Sequence, residues 1–380
     1  MTQQISPNTV RPPAEVLYLQ ELEALAANDP HPKPPGWTLS PRAVRTFILG
    51  SEGQPLTYKQ GRKKVEVEIK QKYYGDDILV DRCVVTLAGT RGLLLVGEPG
   101  TAKSMLSELL AAAISGDSTN TIQGTAGTTE DQIKYSWNYA LLIAEGPSLR
   151  ALVPSPLYRG LKNGKLVRFE EITRCPAEIQ DALVSVLSDK IMTIPELSGT
   201  AESVLLAQRG FNIIATANIR DRGVNEMSSA LKRRFNFETV APIRSRTLEE
   251  TLVRQQTEAI LAAHDVTVNL SEDVIHLLVT TFQDLRQGRT AEGTVLERPS
   301  TVMSTAEAVS VGVSAGLDAC YLGSGEVTSE HIVRNLVGTV LKDNPEDEKK
   351  LRHYFNVVVK DRAHQQPLWE SYFKARKWLK

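Results

Sequence analysis

The sequence is poor in features that define several whole classes of protein. Its three cysteines, Cys83, Cys175 and Cys320, are too few and too scattered for a disulfide framework or a zinc site. There is no signal-peptide pattern and no apolar run of about 18 residues, so we expect neither export nor a membrane span. The formal net charge is −1, which gives no global electrostatic reason to expect nucleic acid or an anionic membrane as a partner. These absences favour a cytoplasmic protein.

Enough apolar sequence is present for a large core, because 41% of the 380 residues are hydrophobic. Residues 1–72 form an N-terminal extension. Its first part, residues 1 to about 40, has seven prolines between positions 7 and 35 and a short helical pattern over 14–27, and this composition predicts a loosely held arm. Residues 63–72 alternate apolar and charged side chains, which predicts a half-exposed strand.

Strand and helix patterns alternate over residues 73–244, and almost only helical patterns follow over 245–380. Strands are predicted at 93–96, 119–123, 165–169 and 211–216, with helices at 78–89, 104–114 and 175–187. The later helices are predicted at 247–263, 271–286, 301–320, 329–341, 345–360 and 367–379. The sequence therefore predicts an α/β domain with a parallel sheet between helices, followed by an all-helical domain.

A phosphate-binding loop is predicted at residues 97–104, Gly-Glu-Pro-Gly-Thr-Ala-Lys-Ser, which lie between an apolar strand and a helix. The glycines let backbone N–H groups turn toward an anion, and the helix N-terminus adds positive potential. Lys103 supplies a charge for the β- and γ-phosphates and Ser104 a hydroxyl for Mg²⁺. Ala102 stands where the second glycine of the motif is usual. The predicted nucleotide contacts are Gly97, Glu98, Pro99, Gly100, Thr101, Ala102, Lys103, Ser104 and Met105.

Two adjacent carboxylates, Glu170 and Glu171, directly follow the strand at 165–169. Neighbouring residues of an extended segment point to opposite sides, so one carboxylate can address Mg²⁺ and the other the attacking water. We assign Glu170 to the metal and Glu171 to the water. Aspartate is commoner at the first position, and Arg168 within the strand is unusual for a buried parallel sheet.

Two further polar elements follow. Asn218 ends the apolar stretch 211–217 and can hold the attacking water or the γ-phosphate through its amide. Arg233 and Arg234 precede Phe235 and can supply positive charge to a neighbouring subunit's transition state, as an arginine finger does. A basic helix end stabilised by the helix dipole is the alternative for this pair.

Taken together, these motifs resemble the MoxR branch of the AAA+ ATPases, which is similar to the motor subunits of magnesium and cobalt chelatases. The resemblance rests on the phosphate loop, the Glu-Glu-Ile strand end, residues 176–183, Asn218 and Arg-Arg-Phe at 233–235, and it covers about residues 73–320. It implies a P-loop AAA+ core with a helical lid and a ring, usually a hexamer, that binds ATP at subunit interfaces. It also implies a protein client, often one with a von Willebrand factor A domain.

The resemblance further implies roles for single residues. Glu170 and Glu171 match the Walker B pair, and Asn218 matches sensor 1. Arg234 matches the trans-acting finger, with Arg233 as competitor, and Arg298 is a loose match to the sensor 2 arginine. The helix-two insert corresponds to residues 125–156, whose aromatic side chains Tyr135, Trp137 and Tyr139 line a pore, touch the partner or pack in the core. Residues 190–208 match the pre-sensor hairpin.

Three other functions stay open at this point. A P-loop kinase would use the same loop to transfer phosphate to a small acceptor, and a nucleotide-gated scaffold would bind ATP with little turnover. A DNA-bound activator of the AAA+ class is the third, but its Gly-Ala-Phe-Thr-Gly-Ala loop is absent. The basic and aromatic C-terminal segment, residues 369–380, either docks on a partner or nucleic acid or packs as a lid helix.

Overall fold

The structure is a computed structural model that describes residues 9–218, 225–342 and 344–379. Its contacts divide the chain into two compact units. The first comprises residues up to Gly97 together with Ala102–Val240, and the second comprises Glu98–Thr101 and Ala241–Lys380. Among the described residues, no helix combines the length and the apolar character that crossing a bilayer requires.

The strands among the described residues all lie in the first unit. They are β1 (Pro55–Gln60), β2 (Lys63–Glu68), β3 (Gly92–Gly97), β4 (Thr121–Gln123), β5 (Tyr135–Trp137), β6 (Leu152–Pro154), β7 (Leu166–Glu170), β8 (Ile191–Thr193), β9 (Val204–Leu206), β10 (Asn212–Asn218) and β11 (Phe235–Val240). Five of them form one parallel sheet in the order β11-β3-β10-β7-β4. The predicted parallel sheet is thereby confirmed. The edge strand β11 was not predicted from the sequence; exposed and buried residues alternate over its last four positions.

Helices of the first unit are α1 (Ala14–Leu17), α2 (Leu19–Ala27), α3 (Pro41–Leu49), α4 (Asp77–Ala88), α5 (Lys103–Ser115), α6 (Glu130–Ile133), α7 (Tyr139–Glu145), α8 (Pro156–Asn163), α9 (Ala177–Asp181), α10 (Leu183–Asp189) and α11 (Ser229–Lys232). The prediction of one helix over 175–187 was wrong. Cys175 is extended, as expected for a residue that precedes a proline, and α9 begins only after Pro176.

The prediction of a loosely held N-terminal arm was also wrong. Leu25, Trp37 and Phe47 are buried in the same hydrophobic cluster as Leu106 and Leu110 of α5. Apolar residues spaced along α2 and α3 therefore cover one side of the sheet domain, although prolines separate the short helices. The predicted half-exposed strand at 63–72 is β2, which ends at Glu68 and pairs with β1 in an antiparallel hairpin.

Residues 125–156 fold as α6, β5, α7 and β6. Tyr135 and Trp137 pack edge to face and both donate to the Glu196 carboxylate, at 2.9 and 3.4 Å. These two aromatic side chains are therefore half-buried structural contacts with the segment between β8 and β9, which pair as a hairpin within residues 190–208. Tyr139 differs, since it is 66% exposed at the start of α7, a helix without a buried residue.

The second unit is helical in its described part, as predicted. Its helices are α12 (Arg246–Ala263), α13 (Glu272–Gln287), α14 (Thr305–Tyr321), α15 (Ser329–Val340), α16 (Pro345–Tyr354), α17 (Lys360–Gln365) and α18 (Pro367–Lys374), with a π-helical turn at Phe355–Val359. The predicted helix at 301–320 begins later, because Ser304 and Glu307 form a capping box there. Trp369 and Tyr372 of α18 are buried, so this part of the C-terminal segment packs within its own unit.

Candidate nucleotide-binding site

The phosphate loop joins β3 to α5, as the motif requires. Ala102 adopts the left-handed conformation, with φ 65° and ψ 19°, and Gly100 has φ 75°. Ala102 thus keeps the backbone conformation of the glycine that it replaces, although its Cβ makes that conformation costly. The buried Lys103 begins α5, and its Nζ donates to the carbonyl of Gly97 at 3.2 Å. Backbone and lysine together form a cradle suited to an anion.

Glu170 lies at the end of β7 and is buried beside the start of α5. Its Oε1 accepts hydrogen bonds from Ser107 Oγ at 2.6 Å and Arg168 Nη2 at 2.9 Å. Its Oε2 accepts from Ser104 Oγ and from Thr216 Oγ1 on β10, both at 2.7 Å. Ser104 and Ser107 are three residues apart and therefore share one face of the helix. Both carboxylate oxygens are held by side chains from three neighbouring elements.

Arg168 is the partner that explains a charged residue inside this buried strand. Besides Glu170, its guanidinium donates to Ser107 Oγ at 3.0 Å, to the Ser118 carbonyl at 3.0 Å and to the Ser104 carbonyl at 3.1 Å. A buried charge with these partners is compatible with the sheet. These contacts therefore explain how an arginine is accommodated in a buried parallel strand, where it is unusual.

The ionisation of Glu170 follows from the same contacts. Burial alone would raise the pKa of its carboxyl, but hydrogen bonds from Ser107 and Ser104 and the charge of Arg168 outweigh that effect. The pKa of Glu170 consequently lies below its ordinary value, and the group is a carboxylate at neutral pH.

The oxygen donors here fit a hard divalent cation. Ser104 Oγ and the Glu170 carboxylate, both predicted from the sequence, lie within hydrogen-bond distance of each other. The described part of the chain holds no group of three or more His, Cys, Asp or Glu residues that could enclose a metal ion. Mg²⁺ is usually held by one or two protein oxygens, by water and by substrate phosphates, and Ser104 and Glu170 are oxygen donors of that kind.

Glu171 points away from this buried cluster. It has left-handed backbone angles, φ 54° and ψ 45°, and its N–H donates to Thr216 Oγ1 at 3.0 Å. Its carboxylate is partly exposed and forms an ion pair with Arg174, with Nε to Oε2 at 3.2 Å. Glu170 and Glu171 thus face different environments, as predicted. The predicted reason was wrong, because a left-handed turn at Glu171, rather than alternation along an extended segment, separates the two carboxylates.

Asn218 closes β10 in register with Gly97 of β3. The order of the strands therefore brings Asn218, the start of the phosphate loop and the end of β7 to one edge of the sheet. Sequence reasoning missed Ser107 and Thr216. Their only signals are spacing, since Ser107 follows Ser104 by one helical turn and Thr216 precedes Asn218 by two residues on a strand.

The predicted arginines are held differently from one another. Arg234 donates to Ser188 Oγ and, at 2.6 Å, to the carbonyl of Ala230, whereas Arg233 is exposed. Arg298, in the second unit, donates through Nε and Nη2 to the Gln287 carbonyl, at 3.2 and 2.8 Å. This contact satisfies a carbonyl at the end of α13, where positive charge is stabilising. The sensor role of Arg298 stays a prediction.

Comparison with known proteins agrees with this geometry. Residues 92–235 match the family described as an AAA domain of the dynein-related subfamily, and residues 247–380 match the YehL-like AAA+ ATPase C-terminal domain. The chain is 52% identical over 366 residues to the uncharacterized protein YehL of Escherichia coli strain K12, covering 96% of each chain. It is 24% identical to the uncharacterized protein YojN of Bacillus subtilis strain 168, over 62% of this chain and 74% of that one.

A crystal structure of NtrX from Brucella abortus in complex with ADP matches with a TM-score of 0.49 and 12% sequence identity, over 81% of this chain and 64% of that chain. A likeness at this level carries no functional information, and the identity to YehL together with the two domain matches decides the assignment. The parallel sheet, the phosphate loop between β3 and α5 and the helical C-terminal unit form an AAA+ core and its following domain. The chain belongs to the YehL-like family of AAA+ ATPases.

Proposed function

We propose that this chain is an Mg²⁺-dependent ATP hydrolase of the MoxR type, which assembles into a ring and uses turnover to remodel or activate a partner protein. The observation that carries the proposal is the convergence of Lys103, Glu170 and Asn218 at one edge of the sheet. Family membership supports ATP as the nucleotide, and the oxygen donors Ser104 and Glu170 suit Mg²⁺.

Each part of the proposed hydrolysis is assigned to particular residues of the chain. The loop backbone and Lys103 bind the phosphates, and Ser104 and Glu170 would hold the cation. Bound Mg²⁺ neutralises phosphate charge. Glu171 accepts a proton from the attacking water or orients it, and Asn218 fixes that water through its amide. Because the Glu171 carboxylate pairs with Arg174, it must exchange this partner for water before it acts as a base.

Ring formation supplies the missing positive charge. Arg234 of one subunit would reach the γ-phosphate held by its neighbour, so that hydrolysis depends on assembly. Two bonds to its own chain position the Arg234 guanidinium, and among the described residues its Nη2 makes no hydrogen bond. A hexamer is the assembly that the MoxR resemblance supports.

The exposed α7 supports a protein partner as the target of the motor. Tyr139 is 66% and Ile143 86% exposed, and α7 buries none of its residues. A helix that is apolar on most of its surface is normally covered. We therefore assign the client contact to the insert at 125–156, with a von Willebrand factor A domain protein as one candidate client.

Phosphate release from ATP, measured over a wide range of protein concentration with the mass determined on the same samples, tests the proposal. Specific activity should rise as the ring assembles, and Glu171→Gln should keep ATP bound while it abolishes turnover. Glu178→Gln, an exposed carboxylate on α9, is the matched control. Full turnover by Glu171→Gln would contradict the assignment of Glu171 to the attacking water. Negligible turnover by assembled wild-type protein would favour the nucleotide-gated scaffold.

A further inference from the structure

A cavity in the second unit collects three arginines that the proposed hydrolysis mechanism does not use together. Its volume is about 550 Å³, and the described residues that line it are Arg244, Gln287, Arg289 and Arg298, all of them exposed, so that it opens to solvent. Arg244 directly precedes the N-cap of α12, Gln287 ends α13, and Arg289 and Arg298 belong to the loop that follows α13. We call this the arginine cavity.

The loop that carries two of these arginines is internally bonded. Gly288, in the left-handed conformation with φ 70°, is the C-cap of α13. Leu296 N donates to the Gly288 carbonyl and Thr290 N to the Thr294 carbonyl, both at 2.9 Å, and Arg289 pairs with Val295 as an isolated antiparallel bridge. The loop therefore presents Arg289 and Arg298 from an ordered turn, which favours a formed site over an accidental meeting of long side chains.

Three carboxylates near these elements do not neutralise the cavity, because they already pair elsewhere. Glu249 of α12 binds Arg286 at 2.6 Å. Asp284 of α13 and Glu292 of the loop both bind Arg362, each at 2.8 Å. Glu297, which precedes Arg298, does not line the cavity.

The guanidinium groups of the cavity keep donors for a ligand. Arg244 and Arg289 form no ion pair or side-chain hydrogen bond within the part of the chain that the structure describes. Arg298 donates to the Gln287 carbonyl through Nε and Nη2, and its Nη1 forms no such bond there. Three like charges close together repel each other. Because all three side chains are exposed, solvent screens much of this repulsion, and a bound anion would remove the remainder.

From these observations we propose that the arginine cavity is a second anion site, which binds a small ligand with two or more phosphate groups. Guanidinium forks match phosphate oxygens in paired hydrogen bonds, so several arginines favour phosphate over a single carboxylate. The cavity exceeds what one phosphate fills and lies within the usual range for small-molecule sites. Pyrophosphate-like compounds and free nucleotides share this chemistry.

Calorimetric titration with inorganic pyrophosphate tests the site in the full chain, with the phosphate loop already saturated by a non-hydrolysable ATP analogue. Pyrophosphate should bind the saturated wild type, and Arg244→Gln and Arg289→Gln should each weaken this binding about tenfold. Arg62→Gln, which removes an exposed charge from the β1–β2 turn, is the matched control and should change the affinity less than twofold. Circular dichroism verifies that both cavity variants fold.

The number of analogue molecules bound per chain separates the possible ligand sources. Two analogues per wild-type chain, one of them lost in Arg244→Gln and Arg289→Gln, would make a nucleotide the ligand. One analogue together with a pyrophosphate site would favour a smaller phosphate compound. Either result supports the inference.

Absence of pyrophosphate binding in chains that hold one analogue would overturn it, as would an equal loss in Arg62→Gln. A parallel loss of the first analogue site in both variants would overturn it too, since the arginines would then serve the nucleotide at the phosphate loop.

Discussion

The Nη2 atom of Arg168 lies 2.9 Å from Oε1 of Glu170, and both residues are buried on β7. The two side chains form one unit, in which the arginine balances a carboxylate that is one methylene longer than the usual aspartate. Removal of either charge alone leaves the other buried without its partner, which is the costly way to break such a pair.

We expect Glu170→Gln to lower the free energy of unfolding by about 3 kcal/mol, because it strands the charge of Arg168. Urea denaturation followed by circular dichroism measures the change. Glu178→Gln on the surface of α9 should stay within about 0.5 kcal/mol of wild type. Combining Arg168→Met with Glu170→Gln should recover part of the loss. If the double variant shows the simple sum of two losses, the stranded charge is not the cause.

The lowered pKa of Glu170 also predicts how stability depends on pH. Its carboxylate stabilises the folded state above the ordinary glutamate pKa, and this contribution disappears as the pH falls through the lower folded-state pKa. The stability difference between wild type and Glu170→Gln should therefore stay constant from about pH 8 to pH 5.5 and shrink below about pH 4.5. Denaturation at each pH measures it. A difference that grows on acidification contradicts the lowered pKa.

Ala102→Gly restores the residue usual in the motif at a left-handed position. Relief of about 1 kcal/mol of backbone strain is offset by the greater entropy of unfolded glycine, so stability should stay the same or rise by about 0.5 kcal/mol. Ala113→Gly, the same change at a buried position within α5, should instead lose about 1 kcal/mol from helix propensity and a further amount from lost packing. Thermal unfolding measures both variants, and equal losses at the two positions would remove the strain argument.

The two candidate finger arginines can be separated in mixed rings. Arg234→Ala subunits, which lack the finger, should regain some ATPase activity when mixed with Lys103→Ala subunits, which still donate one. Arg233→Ala should remain active without mixing. Mass analysis must show that mixed rings form. The reverse pattern would assign the finger to Arg233, which is exposed. No recovery at any ratio would count against Arg234 as a finger acting in trans.

Burial of the N-terminal segment makes it part of the folding unit. Phe47 is fully buried, and we expect Phe47→Ala to cost about 4 kcal/mol in unfolding free energy. Val10→Ala is the control, because Val10 is 91% exposed and its loss should be close to zero. A small effect of Phe47→Ala in urea denaturation would show that the N-terminal extension contributes little to the folding unit.

The local sequence was sufficient to predict the elements that depend on the pattern of one short segment of the chain. The strand, glycine loop and helix around Lys103 follow from apolar runs and backbone requirements that lie within a few residues of each other. The parallel sheet, the helical second half and the paired carboxylates could be predicted in the same way, because period and spacing report on one segment at a time.

Tertiary structure alone decided which side chains meet. In the sequence, Arg168 weakens the prediction of a buried parallel strand. In the structure, its guanidinium completes the contacts of Glu170 because α5 packs on β7. Thr216 reaches Glu170 only because β10 lies between β3 and β7. The sequence likewise predicts a loosely held arm for the N-terminal helices. In the structure they are buried against the apolar face of α5. Pairing across strands and burial against distant helices depend on contacts between residues far apart in the chain, which no local pattern encodes.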